Sequence, residues 1–324
     1  MSTQTSRLRS ASPVRLNALA FLQKYGVYLA ILLLLLFNLC FTQNFFSVDN
    51  IRTQLVQVVP VLIVALGMAL VIGAEGIDLS VGAVMALVAA IIPLYIGYGA
   101  LPAAIFALLA GCLIGAINGT MIALIGVQPI VATLALMVAG RGIALLVANE
   151  QLQPVTNPGI LALGRESLLG IPYSVLIALI LTVFVIFLVG KTTFGKQLVA
   201  IGGNRVAARR AGLPVRRVLL TTYILCAGLA GIAGLIGTAR LGASVPSTLG
   251  NLIELSAITA VVIGGTPLSG GQIRVVGTVA GALLLQIISA TLIKHNVPDS
   301  YSQIAQAVII LLAVYIQRGK VFVR

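Results

Sequence analysis

The sequence predicts an all-α, polytopic transmembrane helical bundle of about ten spans, with both termini cytoplasmic and some helices partly broken. Three observations predict it. The chain is 60% hydrophobic and 8% charged, with a mean hydropathy of +1.14. Apolar runs recur at lengths that cross a bilayer at about 1.5 Å per residue. Basic residues gather in the loops of one side, while Asp49, Glu150, Glu166 and Asp299 lie in loops of the other. That is the positive-inside pattern, so the net charge of +13 reports orientation in a membrane and not binding to nucleic acid.

Residues 1–26 form a basic cytoplasmic tail carrying Arg7, Arg9, Arg15 and Lys24 and no acid. The tail is expected to be disordered at its start. The apolar run behind it is too long for a cleavable signal. A single transmembrane domain covers 27–318, and 319–324 is a short basic C-terminal tail.

The first span covers 27–46 and the second 53–72, with Pro60 inside as an expected kink. The third covers 80–98 and contains Pro93. The fourth opens at Leu101-Pro102 with proline in a favourable first-turn place. It carries Gly111, Gly115 and Gly119, a doubled GxxxG ridge that lets another helix come close, with Asn118 beside it. The fifth starts at Pro129 and contains Arg141. An arginine there must snorkel, pair or line water, and its place towards the far end favours snorkelling. A polar loop, 149–170, precedes the sixth span, which opens at Pro172 and ends near Gly190. The seventh, 218–238, has glycines at 228, 231, 234 and 237, a strip that drifts slowly around the helix. The eighth, Glu254 to Ile263, is short and is broken by IGGTPLSGG. The ninth covers 275–293, and the tenth ends near Gln317. Cys40, Cys112 and Cys226 all sit in apolar runs and read as small buried hydrophobes.

Two stretches stand out. The first is GAEGIDLSVG, residues 73–82, which holds Glu75 and Asp78, two of the 7 acids in the chain. Carboxylates between two spans are costly unless they face protein, water or a backbone donor. Asp78 and Ser80 are good N-caps, so one reading is a capped helix start in a tight turn. The other is a functional break lining a transport path. VIGAEGIDLSVG (71–82) also has a weak echo in VIGGTPLSGG (262–271), and repeated halves are common in transporters.

The second stretch is the loop 191–217, with Lys191, Lys196, Arg205, Arg209, Arg210, Arg216 and Arg217 and no acid. Asn204 can cap a short helix from Arg205 to Ala211. Gly212 can end it in the left-handed conformation, and Pro214 blocks its continuation. A basic patch held to anionic lipid is one reading. The firm stops at both ends favour a helix that docks a partner protein.

No nucleophile–base pair, metal cluster or dinucleotide fingerprint occurs. Gly190-Lys191-Thr192 resembles the end of a phosphate-binding loop, but Val185 stands where the first glycine is needed. The chain is therefore not expected to hydrolyse ATP by itself. It needs a partner motor, an ion gradient, or no energy.

The run GMALVIGAEGIDLSVGAVMAL (67–87) resembles the signature of ribose-type sugar permeases of ATP-binding-cassette importers. QPIVATLALMVAGRGIA (128–144), FGKQLVAIGGNRVAARRAGLPV (194–215) and ITAVVIGGTPLSGG (258–271) resemble the same family in matching order. The resemblance implies a multi-pass permease in a bacterial inner membrane that passes a pentose or hexose by alternating access. It implies a cytoplasmic sugar-type ATPase carrying ATP and magnesium, and a periplasmic sugar-binding protein. It also implies a second permease copy, identical or related, in the lipid bilayer. No cofactor is expected in this chain. Asn204, Arg205, Ala208, Arg209 and Gly212 would form the ATPase-coupling segment. Glu75, Asp78, Ser80, Asn118, Gln286 and Gln303 are the candidate residues of the substrate pathway. Another solute (a nucleoside, a branched amino acid or a furanose signal) remains an alternative. So do an autonomous ion-gradient carrier using Asp78 or Glu75, and a non-transporting scaffold.

Overall fold

A fully apolar helix folds in lipid because every backbone group is satisfied inside the helix, and the chain is built almost wholly from such helices. The computed structural model describes residues 13–298, with side chains from 25 onward, and residues 300, 301, 303, 304, 307, 308 and 311. The tails 1–12 and 319–324, and much of the expected tenth span, lie outside the described residues.

The long helices are α1 (Pro13–Phe41), α2 (Val48–Gly73), α3 (Val81–Tyr95), α4 (Ala100–Thr120) and α5 (Pro129–Val147). After a short α6 (Pro158–Arg165) comes α7 (Tyr173–Lys191). Two short helices follow, α8 (Thr193–Gly203) and α9 (Arg205–Arg210), and then α10 (Val215–Leu241), α11 (Ile253–Ile263) and α12 (Val275–Lys294). Among the described residues seven helices are long and apolar enough to cross a membrane, and the shorter Tyr25–Phe41 and Ile253–Ile263 are also apolar. The first helix departs from the sequence reading at both ends. It begins at Pro13, inside the expected tail, and ends at Phe41, before the expected 46. Helices α2 and α3 continue through Pro60 and Pro93.

Helices α2 and α10 form the centre. From Leu62 to Gly73, α2 is buried on every side, as expected of a helix that is apolar all round. Helices α4, α5 and α7 instead turn large side chains outward, among them Leu101, Leu109, Leu113, Val138, Leu146, Leu179 and Ile180. That is a lipid-facing surface. Lipid tails are as apolar as these side chains, so inside the bundle close packing holds the helices together. Gly115 and Gly119 press α4 against the α10 backbone at Tyr223, Ile224 and Leu220. On α10 the drifting strip moves from one neighbour to the next: Gly228 faces Cys112, Gly231 faces Leu108, Gly234 meets the Met85 backbone and Gly237 meets Leu249. Two cysteines depart from expectation, because Cys40 is exposed and Cys112 half-buried; only Cys226 is buried. The two ends of the 149–172 loop are tied by short antiparallel pairs, Gln153–Pro154 with Ala243–Ser244 and Ser167–Leu168 with Ile171–Pro172.

Candidate coupling and translocation site

The break between α2 and α3 is a knot of polar groups. Ile72 and Val71 carbonyls accept from the Glu75 and Gly76 amides at 2.9 Å, which ends α2. Glu75 sits in the left-handed region at φ +64. Asp78 Oδ1 accepts from the Ser80 amide at 2.9 Å and from the Ser80 hydroxyl at 2.6 Å. The Ser80 hydroxyl in turn accepts from Asn118 Nδ2 at 2.8 Å. Asp78, Ser80 and Asn118 are fully buried. Of the two residues read as caps, Asp78 makes the bond; Ser80 is helical and its side chain caps no amide of α3. The Thr133 hydroxyl lies 2.9 Å from the Pro129 carbonyl of its own helix and 3.3 Å from the Ile77 carbonyl, which sets α5 beside the break.

Three sequence-predicted residues thus meet in one place, and Glu75 does not join them. Its side chain is exposed, because the left-handed turn carries it away from Asp78. Tyr223 of α10, absent from the sequence reading, closes the knot. It is almost fully buried, and its hydroxyl lies against Gly76 so closely that a methyl group there would come within 2.5 Å. Asn118 Oδ1 and Tyr223 Oη are enclosed with no protein partner, and the Cys226 thiol lies against the Asp78 carboxyl. A polar group stripped of water and unpaired is costly, so these atoms stay in place through the packing around them and the hydrogen bonds of their neighbours.

Arg141 does not snorkel. Its Nη1 donates to the Pro246 carbonyl at 2.8 Å and to the Leu249 carbonyl at 2.9 Å. Those carbonyls belong to the irregular segment between α10 and α11, which lies beside the first turn of α3 where Gly82 approaches Gly250. Glu254, buried at the start of α11, and Arg141 both border Gly82. Non-helical backbone beside membrane helices needs donors from protein. The arginine supplies two.

The basic loop folds as its stop signals dictate. Asn204 is extended, with φ -162, and its side chain accepts from the Ala207 amide at 2.9 Å, the N-cap of α9. Gly212 adopts φ +78 and its amide donates to the Arg209 carbonyl at 3.1 Å, while Leu213 N–H reaches the Ala208 carbonyl at 3.1 Å. Ala208 faces inward, and Val206, Arg209 and Arg210 face outward. Arg205 is half-buried with its Nε enclosed and without a protein partner.

Just ahead of α9 three chain segments meet backbone to backbone. The Gly271 amide donates to the Gly73 carbonyl at 3.0 Å. Gly202, at the end of α8, lies on that same carbonyl with no room for a side chain, and Gly270 and Gly271 pack on Gly202 and Gly203. The two echoing motifs of the sequence are thereby joined, with the root of α9 between them. This joint was missed as a site; the signal available was the echo itself.

Gln286 of α12 is placed elsewhere, bonded through Nε2 to Gln54 Oε1 at 2.5 Å and Gln57 Oε1 at 3.0 Å on α2. Gln303 is exposed and distant in sequence from every element of the knot.

A model of transporter subunits described as "Branched-chain amino acid transport system / permease component" matches residues 50–314. The chain belongs to that permease family. The ribose import permease RbsC of Escherichia coli (strain K12) is 37% identical over 99% of this chain and 100% of its own length. The ribose import permease RbsC of Bacillus subtilis (strain 168) is 38% identical over 92% of this chain and 94% of its own. The galactofuranose transporter permease YtfT of Escherichia coli (strain K12) is 39% identical over 80% of this chain and 76% of its own. No solved structure matches the chain. In this permease the knot, the arginine clamp and the glycine joint all lie within the matched residues.

Proposed function

We propose that this chain is the membrane subunit of an ATP-driven bacterial importer of a monosaccharide. The observation that carries the reading is similarity over the whole chain to permeases named for ribose import. The chain sits in the inner membrane as ten spans with both termini cytoplasmic, so that the basic loop 191–217 lies inside. A binding protein delivers the sugar from outside, and a separate ATPase, which holds ATP and magnesium, docks on α9. A second permease copy completes the path.

In mechanism, closure of the ATPase moves α9. The movement reaches Gly202 and Gly203 and from there the Gly73 carbonyl, the end of α2 and the 264–274 segment. The Asp78–Ser80–Asn118 knot holds the start of α3 in register while α2 and α10 shift. These three residues set helix geometry and need not touch sugar.

The test is uptake of labelled ribose into proteoliposomes. Uptake that requires ATP, the ATPase and the binding protein supports the proposal. A second reading, amino-acid cargo, is favoured by the description of the matching family; labelled leucine in the same vesicles distinguishes it.

A further inference from the structure

The surface formed by α2, α11 and α12 differs from the lipid-facing side. Among the described residues of α12, the exposed large apolar side chains are Val276 near one end and Ile293 near the other. Between them lies a small open cleft lined by Val58, Val61, Ala282 and Leu285 together with Ser256, Gln286 and Ser289. Gln286 reaches across its edge to Gln54 and Gln57 with two hydrogen bonds. Gln57 is exposed and Gln54 and Gln286 half-buried.

Three carboxamides facing hydrocarbon would be costly, and water or a second copy against this face would relieve that cost. The Gln286 Nε2 hydrogens are both used. That leaves the Gln286 carbonyl oxygen and the Gln57 amide nitrogen as an acceptor and a donor side by side. If both amides are turned over together, the pair still offers one of each. A sugar hydroxyl needs both roles from its partner. No side chain lining the cleft is charged, so nothing there would pair with the ammonium or carboxylate of an amino acid.

We propose that Gln57 and Gln286, with Gln54 bracing them, form one half of a transient contact for a neutral polyhydroxylated solute. The second permease copy supplies the other half. The inference rests on the sugar-importer reading above and names the residues that would give that path its preference. The cleft on one copy is too small to enclose a sugar alone, as a half-site on a two-fold axis should be.

The experiment uses proteoliposomes holding the complete importer, with labelled D-ribose and 2-deoxy-D-ribose at saturating binding protein. Gln286→Leu and Gln57→Leu should each slow ribose uptake about tenfold, because a site built to hydrogen-bond a hydroxyl is left unpaired. Both should narrow the preference for ribose over its deoxy analogue and leave ATPase stimulation by the loaded binding protein in place. Gln286→Asn, which keeps the carboxamide, should recover part of the rate. Unchanged uptake in both leucine variants overturns the proposal. So does a loss of uptake that only follows a loss of thermal stability in detergent with the ribose preference intact. Wild-type vesicles that show no ATP-dependent sugar uptake would remove the parent reading and this one together, whereas a failing variant beside an active wild type removes only this one.

Discussion

The Gly271 amide donates to the Gly73 carbonyl across 3.0 Å, and Gly202 lies on the same carbonyl. One oxygen therefore gathers the end of α2, the segment before α12 and the root of α9. No flexible side chain lies between the Gly73 carbonyl, the Gly271 amide and Gly202. Gly202→Ala forces the three backbones apart, and overpacking of this kind costs about 1–3 kcal/mol or more. The expected outcome is an assembled permease whose partner hydrolyses ATP with little uptake. Gly203→Ala, with only Gly271 Cα at 3.9 Å, should be milder. The ratio of sugar moved to ATP hydrolysed measures both.

Asp78 supports the start of α3 through two bonds from Ser80. Asp78→Ala leaves the Ser80 amide buried without an acceptor, a loss of about 1–3 kcal/mol. Asp78→Asn keeps an acceptor oxygen and should retain most of the stability. Thermal unfolding in detergent ranks the three proteins, with wild type first and alanine last. Equal stability of Asp78→Ala and wild type would remove the knot from the account.

Much of this was legible in the sequence, and the reasons are local. The α9 boundaries follow from Asn204, Gly212 and Pro214 because caps and left-handed stops act within a few residues. The α4 ridge follows from its glycine spacing for the same reason. Arg141 was misread because nothing nearby in sequence reveals the carbonyls of Pro246 and Leu249, more than a hundred residues on. Glu75 and Asp78 read alike as neighbouring acids, yet a single left-handed turn sends one outward and buries the other. Tyr223 carries no sequence signal, being one aromatic in an apolar helix. The role of Gly271 was half legible, as an echo without a known partner.

Arg141→Met keeps much of the apolar stem and removes the two donors. Carbonyls bonded to a charged group lose about 1.5–3 kcal/mol when it goes, and Glu254 is left buried beside Gly82 without its cation. The expected result is a loosened 243–252 segment, seen as faster amide exchange there, with a lower melting temperature. Unaltered exchange across that segment would show that the arginine clamps nothing.

Gly212→Val places a β-branched residue at φ +78, a conformation that costs an L-residue roughly 1–2 kcal/mol. Asn204→Ala removes the N-cap of α9, a loss of about 0.5–2 kcal/mol of helix stability. Both should weaken ATPase binding and leave the membrane bundle folded, because Asn204 and Gly212 are exposed. Pull-down of the ATPase by detergent-solubilised permease reads the effect directly. Undiminished binding in both variants would argue that the partner grips another surface.

The most direct test of the whole account is reconstitution with and without the motor. Purified permease alone in proteoliposomes, under an imposed proton or sodium gradient, should move no ribose. Addition of the ATPase, the binding protein and ATP should start uptake. Solute transport by the permease alone would contradict the claim that this chain is driven from outside itself through α9.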